Sequence, residues 1–357
     1  MSSGGGSRDD DTDAEGPDGA LTPDLPAPSV PGAPDGSPAP VAPPDPGLSG
    51  LDWGGLTPEE QLVVELINRA RMDPASEVAR LNEPLASGIP SGPVEPLAVT
   101  RELSHAARGH SEDMDARNFF AHTNPDGQSP GARALEEGHG SSFVGENIGL
   151  IGSSSTSFDR QARTEAHHAN LWESDGHQRN LMAARWSEIG VGYDYGDHRF
   201  DSSPNTTFPG ATFVTEKFGD RGHSYLTGVV IEDGDGDDFY DIGEGLGGVR
   251  ITASDGRNTF ETQTWGAGGY SLRLVDGTYR VVFEGGGLDR SVTRDIVIAG
   301  ANVKLDVVED AGTVSVISRL SEPPPEASAV LAGLPVIPME ERPLPEDEAA
   351  ADELALV

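Results

Sequence analysis

Four short stretches of the sequence place a histidine or a glutamate among small and apolar residues, and these side chains could perform chemistry. The stretches are RGHSEDM, FFAHTNPDG, VGENIGL and WESDGHQRNLM. Histidine titrates near neutral pH or binds a metal, and a nearby carboxylate can orient it, act as a base or complete a coordination shell. His122, Glu146 and His177 are too distant in sequence to share a helix. Spacing alone therefore favours a hydrogen-bonded structural role for each histidine, unless the fold gathers them.

A second candidate site is the acidic stretch DGDGDDFYDIGE, which begins at Asp233. Its spacing matches the calcium loop of EF-hands, in which oxygen atoms surround one hard cation. The candidate ligands are Asp233, Asp235, Asp237, the backbone carbonyl of Phe239, Asp241 and Glu244. Asp238 stands where the loop usually has glycine, and no helical pattern flanks it, so a helical EF-hand is excluded. Because acids this close repel one another without a counterion, we expect calcium here rather than a solvated acidic loop.

The first folded segment opens with a strong helix signal. Thr57, Pro58 and Glu60 form a capping-box pattern, and apolar residues recur behind them at helical spacing, which predicts a helix over residues 58–72. Further helices are predicted through VTRELSHAARGHSEDMDARNF and near residues 129–138, 160–173 and 177–184. Strands are predicted in EIGVGYDY and ATFVTEKFG. Helices mixed with separated strands indicate an α+β fold ending near Asp220.

From residue 226 the apolar pattern changes to the alternation typical of strands. Short alternating segments separated by Gly or Asp predict an all-β sandwich. They are GVVIED, GVRITASD, NTFETQTW, YSLRLV, TYRVVFEG, SVTRDIVI and ANVKLDVV. The pair Asp276-Gly277, between YSLRLV and TYRVVF, predicts a hairpin.

Both ends of the chain are rich in Pro and acidic residues. Residues 1–50 also abound in Gly and Ser, and residues 311–357 contain SEPPPE and PEDEAAADELALV. Such segments cannot bury enough apolar surface to offset the entropy cost of ordering. We predict that both ends are disordered.

Composition limits the class of partner and the compartment. The formal net charge is −36, and Lys217 and Lys304 are the only lysines, which argues against nucleic acid because phosphate binding needs clustered Lys and Arg. The absence of cysteine excludes disulfides and a catalytic thiol. No segment approaches the roughly 20 apolar residues of a membrane-spanning helix, and MSSGGGSRDDD lacks the features of a signal peptide. We expect neither a transmembrane segment nor a classical signal peptide.

The stretches LINRARMDP, AARGHSEDM, FFAHTNPDG, VGENIGL, LWESDGHQRNLM, IGVGYDY and ATFVTEKFG follow one another in this order between roughly residues 56 and 220. This order resembles the CAP superfamily of cysteine-rich secretory proteins, antigen 5 and pathogenesis-related proteins. The motif sequences are most similar to those of the bacterial branch, which often lacks disulfides. The resemblance implies an α-β-α sandwich over residues 51–222 in an extracellular or cell-surface protein.

The resemblance also implies a cleft whose floor carries two histidines and two acids. The family's histidines correspond to His122 in FAHTN and His177 in DGHQRN, and the acid of the GEN motif corresponds to Glu146. The remaining acid corresponds to either Glu173 or Asp175, although bacterial relatives often have no acid at this place.

The segments VVIEDGDGDDFYDIGEGLGGVRI and GGYSLRLVDGTYRVVF resemble the B-type repeat of bacterial surface adhesins. This second resemblance implies a prealbumin-like sandwich over residues 226–310. Such domains act as stalks or spacers and are often stiffened by calcium.

Two functions are consistent with these observations. Many CAP proteins are binding or signalling modules, so we expect a cleft that binds an extracellular lipid, glycan, peptide or protein, displayed by the calcium-stabilised sandwich. The alternative is a hydrolase or peptidase in which His122 and His177 hold zinc or another divalent metal and Glu146 acts as general base. No local motif such as HExxH supports that chemistry.

Overall fold

The structure, a computed structural model, describes residues 53–199, 207–310, 313–319 and 353–356. The first part, residues 53–220, is called the helical block. Its helices are α1 (Pro58–Met72), α2 (Pro74–Leu81), α3 (Arg101–Arg117), α4 (Pro130–Glu136), α5 (Arg160–Glu173) and α6 (Asp175–Leu181). In the part of the chain that the structure describes, no helix is long and apolar enough to cross a membrane.

The helices predicted from the sequence are confirmed, and α2 is additional. The capping box at Thr57 forms as predicted, with the Glu60 carboxylate accepting from the Thr57 N–H at 2.8 Å. Asp73 both ends α1 and begins α2, since its side chain accepts a hydrogen bond from the N–H of Ser76 at 3.1 Å. Pro74 at the first helical position suits that role. The Asp-Pro pair therefore separates two helices rather than ending the helical region.

One sheet of the helical block contains β1 (Ala98–Val99), β2 (Gly145–Ser153), β3 (Glu188–His198) and β4 (Phe208–Gly219), in the order β1-β3-β4-β2. Strands β3 and β4 match the sequence prediction. Helix α3 packs closely on β3, because a Cβ at Gly190 or Gly192 would collide with the α3 backbone. The glycines of the IGVGYDY stretch thus permit a direct helix–strand contact.

The second part, residues 224–319, is called the β block and forms two four-stranded sheets. Its strands are β5 (Ser224–Glu232), β6 (Arg250–Ser254), β7 (Thr259–Gln263), β8 (Gly269–Leu274), β9 (Gly277–Glu284), β10 (Val292–Ile298), β11 (Val303–Asp310) and β12 (Thr313–Arg319). The sheet orders are β10-β9-β6-β7 and β12-β11-β5-β8. Both sheets contribute to one apolar core, which includes Val281 and Phe283 from the first and Leu226 and Leu305 from the second. The seven strand segments predicted for this block are confirmed.

The hairpin predicted at Asp276-Gly277 is wrong. Strand β8 pairs with β5, whereas β9 pairs with β6 and β10, so the turn passes the chain from one sheet to the other. The Asp276 carboxylate accepts a hydrogen bond from the N–H of Gly300 at 2.7 Å, and Tyr279 Oη donates to the carbonyl of Val275 at 2.9 Å. An Asp-Gly pair thus marks a turn without determining which strands pair across it.

The two blocks share buried surface along α1. Leu62 and Leu66 of α1 lie in one apolar cluster with Val229 and Ile231 of β5, and Trp265 of the β block joins the core of the helical block. Lys304 on β11 forms a buried ion pair with Glu65 at 2.7 Å, and Trp265 Nε1 donates to Gln61 Oε1 at 2.9 Å. The interface between the blocks therefore combines apolar packing with buried polar contacts.

The predicted disorder of residues 1–50 lies outside the described residues, as does most of the predicted C-terminal tail. Two described strands do fall within 311–357 and correct that prediction. They are β12, which pairs with β11, and β13 (Glu353–Leu356), which pairs antiparallel with β2 at the edge of the first sheet. TVSVISR places Val314 and Val316 in alternation, and both TVSVISR and ELAL pair with an available sheet edge that satisfies backbone groups.

Candidate functional site

A cleft of about 380 Å³ lies where α4, β2 and the segment after α6 meet. It is lined by His122, Pro130, Phe143, Val144, Gly145, Glu146, Asn180, Arg185 and Trp186. The sequence motifs predicted His122, Glu146 and His177 as cleft residues, and two of them, His122 and Glu146, line this cavity.

Glu146 is held by three side chains. Its carboxylate accepts hydrogen bonds from Arg133 Nη2 at 2.8 Å and Lys217 Nζ at 2.7 Å, and it lies 3.1 Å from His122 Nδ1. The antiparallel register of β2 and β4 sets Glu146 opposite Lys217, and α4 supplies Arg133. Arg133 and Lys217 were not predicted as site residues.

These partners keep Glu146 ionised. Burial alone would raise the pKa of this carboxyl, but the hydrogen bond with His122 and the charges of Lys217 and Arg133 lower the pKa to about 2. A carboxylate with so low a pKa is a poor proton acceptor at neutral pH, where a general base works best with a pKa near the operating pH. Glu146 therefore acts as the counterion that stabilises the cleft floor.

His122 and His177 occupy different positions relative to the cleft. The His122 side chain is 49% exposed, and its carbonyl accepts from Arg133 Nη2 at 2.9 Å. His177 lies on α6, where its Nδ1 is 2.8 Å from Ser174 Oγ. Burial and the nearby His122 lower the pKa of His177, so this ring is neutral at physiological pH. His122 thus faces solvent, whereas His177 is partly buried near it and is not among the residues that line the cavity.

An asparagine pair connects His177 with the cleft floor. Asn147 Nδ2 donates to the carbonyl of His177 at 3.3 Å and to Glu216 Oε2 at 2.9 Å. Asn180 Nδ2 donates to Asn147 Oδ1 at 2.9 Å. Asn147 follows the glutamate of the GEN motif, and Asn180 ends the GHQRN motif, so these contacts explain why the two motifs occur together in one site.

In the part of the chain that the structure describes, the cleft does not gather three metal-ligating side chains. Among the described residues, the cluster of His, Asp and Glu ligand atoms that lie within 4.8 Å of one another consists of Asp233, Asp235 and Asp237. His122 and Glu146 do approach each other, but the oxygens of Glu146 already accept from Arg133 and Lys217. Glu146 is therefore poorly suited to act as a base, and the zinc site at His122 and His177 stays a prediction.

Neither alternative for the fourth cleft residue lines the cavity. Glu173 ends α5 and Asp175 begins α6, and both are exposed. Instead, Phe143, Arg185 and Trp186 form the rim. The motif did not identify them because they lie in loops whose position depends on the packing of the whole sheet.

Two other histidines of the helical block are structural. His168 Nε2 lies 2.8 Å from Glu77 Oε1 in a buried cluster with Arg69 and Arg80. His110 Nε2 lies 3.1 Å from the carbonyl of Ala121, and burial lowers its pKa to about 4. His168 supports the packing of the helices, whereas His110 lies beneath the cleft with its Nε2 3.8 Å from Glu146 Oε1.

The acidic loop of the β block gathers three carboxylates in a tight turn. Asp233, Asp235 and Asp237 present carboxylate oxygens within 4.8 Å of one another. Asp233 organises the turn, since its oxygens accept from the N–H groups of Gly236 at 2.8 Å and Asp238 at 3.0 Å. Asp238 has a φ of 57°, so it adopts the left-handed conformation that glycine usually provides at this position.

Glu244 closes the acidic loop. Its two oxygens accept from the N–H groups of Gly234 at 2.8 Å and Asp241 at 3.0 Å, which lie at opposite ends of the turn. Burial, together with the negative charges of Asp241 and Asp233, raises the pKa of Glu244 to about 7. The loop therefore concentrates negative charge around a partly buried carboxyl group.

The acidic loop also contacts the helical block. Gln161 of α5 donates to Asp241 Oδ1 at 2.9 Å and accepts from the N–H of Ile242 at 3.0 Å. The ring of Phe239 packs under the guanidinium of Arg69 at 4.5 Å. The loop is thus part of the interface between the blocks.

Comparison with known proteins identifies relatives of the helical block. Residues 64–216 match the family model described as CAP, the cysteine-rich secretory protein family. The uncharacterized protein YkwD of Bacillus subtilis is 31% identical over 101 residues, which is 28% of this chain and 35% of YkwD. The chain therefore aligns with about a third of the length of that curated relative. The family match covers the stretch that carries the cleft motifs.

Two solved structures with detectable similarity come from bacteria. An extracellular protein containing a SCP domain from Bacillus anthracis is 24% identical with a TM-score of 0.28, covering 46% of this chain and 44% of that one. An outer surface protein from Borrelia burgdorferi is 13% identical with a TM-score of 0.28, covering 46% of this chain and 92% of that one.

Proposed function

We propose that residues 51–222 form a CAP domain of the α-β-α sandwich type whose cleft binds an extracellular ligand without converting it. The observation that carries this proposal is the state of Glu146. The carboxylate is bonded to Arg133, Lys217 and His122, so it serves as a structural counterion. An open cleft with one exposed histidine and a fixed floor suits recognition.

The hydrolase alternative is less consistent with the same geometry. A metal-assisted mechanism needs ligands with free lone pairs and a base with a pKa near neutrality. Glu146 has a pKa of about 2, and its oxygens already accept hydrogen bonds from cationic side chains. We therefore place catalysis second to binding.

We propose an extracellular or cell-surface location. The support is the family match over residues 64–216, whose description is a family of secretory proteins. The chain has no cysteine, so a domain of this kind would gain its stability there from packing and buried ion pairs.

We further propose that residues 226–310 form a prealbumin-like sandwich of the adhesin B-repeat type that binds calcium. Two four-stranded sheets around one core support the sandwich. The proposed calcium ligands are Asp233, Asp235, Asp237, the carbonyl of Phe239, Asp241 and Glu244. Calcium prefers six to eight oxygen ligands, which this set with added water can supply. Because the loop contacts α1 and α5, bound calcium would brace the cleft domain against its support.

The test of the binding function is retention of ligand by the purified chain. The protein is incubated with a mixed pool of peptides, lipids and oligosaccharides, separated from free molecules, and analysed by mass spectrometry. We expect retained molecules that are lost in His122→Ala and kept in His105→Ala, because His105 is half-buried on α3 and does not line the cleft. Equal retention by wild type and His122→Ala would refute the assignment of the cleft as the binding site.

A further inference from the structure

The cleft is positively charged on a strongly negative protein. The chain carries a net charge of −36, yet Glu146 is the single carboxylate residue among the described cleft-lining residues. That carboxylate contacts two cations, Arg133 and Lys217, and Arg185 at the rim adds another positive charge. Arg133 and Lys217 are buried beneath the lining, and together with Arg185 they outnumber the one carboxylate, Glu146, among these four side chains. Such a local inversion of sign attracts an anion.

Arg185 is arranged to bind an oxyanion. Its guanidinium lies 4.7 Å from the ring centroid of Trp186 and 5.9 Å from that of Phe143. Within the described part of the chain, no carboxylate forms an ion pair with it. A guanidinium that stacks on aromatic rings keeps the N–H groups of its edge available for a planar acceptor.

The aromatic residues beside Arg185 supply a platform and a donor. The Phe143 side chain is 67% exposed, which is unusual for a phenylalanine, and its ring centroid lies 5.5 Å from that of Trp186. Trp186 is 2% exposed, and its indole N–H has no hydrogen-bond partner among the described residues. A buried donor without a partner is unfavourable, so the aromatic pair beside Arg185 includes one donor that no described side chain satisfies.

We infer that the cleft recognises an acidic sugar, with a carboxylate or sulfate at Arg185 and the apolar face of the sugar ring on Phe143. The inference rests on the proposed binding function and names its ligand class. A sugar matches the site because one exposed ring stands beside several polar groups in an open cavity of about 380 Å³. A long acyl chain would need a more continuous apolar lining than Pro130, Phe143 and Val144 provide.

The experiment is isothermal titration calorimetry of the full chain at low salt with three trisaccharide probes. The probes are a galacturonic acid trimer, a sulfated galactose trimer and a neutral galactose trimer. We expect the wild type to bind at least one acidic trimer, more weakly as salt is added, and not the neutral one. The acidic trimer that binds distinguishes a carboxylate from a sulfate ligand.

Variants locate the interaction. Arg185→Gln should weaken binding of the acidic trimer by at least about tenfold, because it removes a charge-assisted hydrogen bond. Phe143→Ala should also weaken it, whereas Arg257→Gln, an identical change in the exposed turn between β6 and β7, should leave it unaltered. Arg185 and Phe143 are exposed, so both variants should melt close to the wild type.

Equal binding of the neutral trimer, or unchanged affinity in Arg185→Gln, would overturn the acidic-sugar inference. Binding of none of the trimers would overturn it as well. Retention of some other molecule that depends on His122 would still leave the proposed binding function standing. If the wild type and His122→Ala retain the same molecules equally, the proposed binding function is itself refuted. The failure of the acidic-sugar inference and the failure of the binding function are therefore distinguishable.

Discussion

Glu146 is a buried carboxylate between two buried cations, and its negative charge contributes to the stability of the fold. Glu146→Gln is nearly isosteric, but it leaves Arg133 and Lys217 without their negative partner. Breaking a buried ion pair by removing one partner costs about 3–5 kcal/mol. We expect a loss of stability of this order, measured by urea unfolding at pH 7. Glu137→Gln, at an exposed position after α4, is the control and should change stability by less than about 0.5 kcal/mol. Equal stability of Glu146→Gln and wild type would contradict the assigned role.

Glu216 makes a second prediction at the residue scale. It is fully buried on β4, and burial raises its pKa to about 7 even though Asn147 donates a hydrogen bond to it. A carboxyl whose pKa is higher in the folded state than in the unfolded state stabilises the fold at low pH. This contribution is lost as the pH rises from the ordinary pKa of 4.5 through the folded-state pKa of about 7. Glu216→Gln mimics the protonated acid at every pH.

The variant Glu216→Gln should therefore match the wild type near pH 4 and exceed it in stability at pH 8, by up to about 3 kcal/mol. Chemical denaturation across this pH range measures the difference. If Glu216→Gln were instead more stable than the wild type at pH 4 and equally stable at pH 8, the raised pKa assigned to Glu216 would be refuted.

The sequence identified some cleft residues and missed others for a physical reason. His122 and Glu146 lie in motifs with distinctive local sequences, so the resemblance to a known family could identify them. Lys217 reaches Glu146 only through the register of β2 with β4, and Arg185 reaches the rim only through the packing of loops. Long-range pairing of this kind leaves no periodic signal in one sequence.

The acidic loop is the element that responds to calcium in this account. A ligand that binds the folded state and not the unfolded chain raises the melting temperature. We expect wild type to melt at higher temperature in calcium than in chelator, and Asp233→Ala combined with Glu244→Ala to lose this response. The pair Glu284→Ala and Asp295→Ala removes the same charge from exposed strand positions and should keep it. A calcium response that persists in the loop variant would exclude the loop as the binding site.

Helices and strands were predictable where their periodicity was clean. The capping box fixed the start of α1, and alternation located the strands of the β block. Strand β2 was not predicted, because all of its residues are buried and no alternation marks it. The pairing of β8 and β9 was predicted wrongly, since a turn signal does not encode which sheet receives the next strand.

At the scale of the whole molecule, the blocks form one interlocked unit. Trp265 packs into the core of the helical block and donates to Gln61, and Lys304 pairs with Glu65. We expect the described blocks to unfold in one calorimetric transition. Trp265→Ala should lower the stability of that single transition by about 3–5 kcal/mol. Two separate transitions in the wild type, with only the β block affected by Trp265→Ala, would contradict this coupling.

The net charge of the chain does not indicate the local charge of the cleft. A charge of −36 argues against nucleic acid as a partner in the sequence argument, yet it gives no hint that Arg185 lines the cavity while Arg133 and Lys217 lie beneath its floor against Glu146. That arrangement requires α4, β4 and the segment after α6 to meet, which only the folded chain reveals.

The most direct test of the account is a turnover experiment on the cleft. Purified wild type is incubated with an excess of the peptide, lipid and oligosaccharide pool in the presence of zinc and calcium, and the pool is followed over time by mass spectrometry beside His122→Ala. The account predicts that the molecules retained by the wild type are recovered with unchanged mass. Products that accumulate with the wild type and not with His122→Ala would establish an enzyme and contradict the binding function.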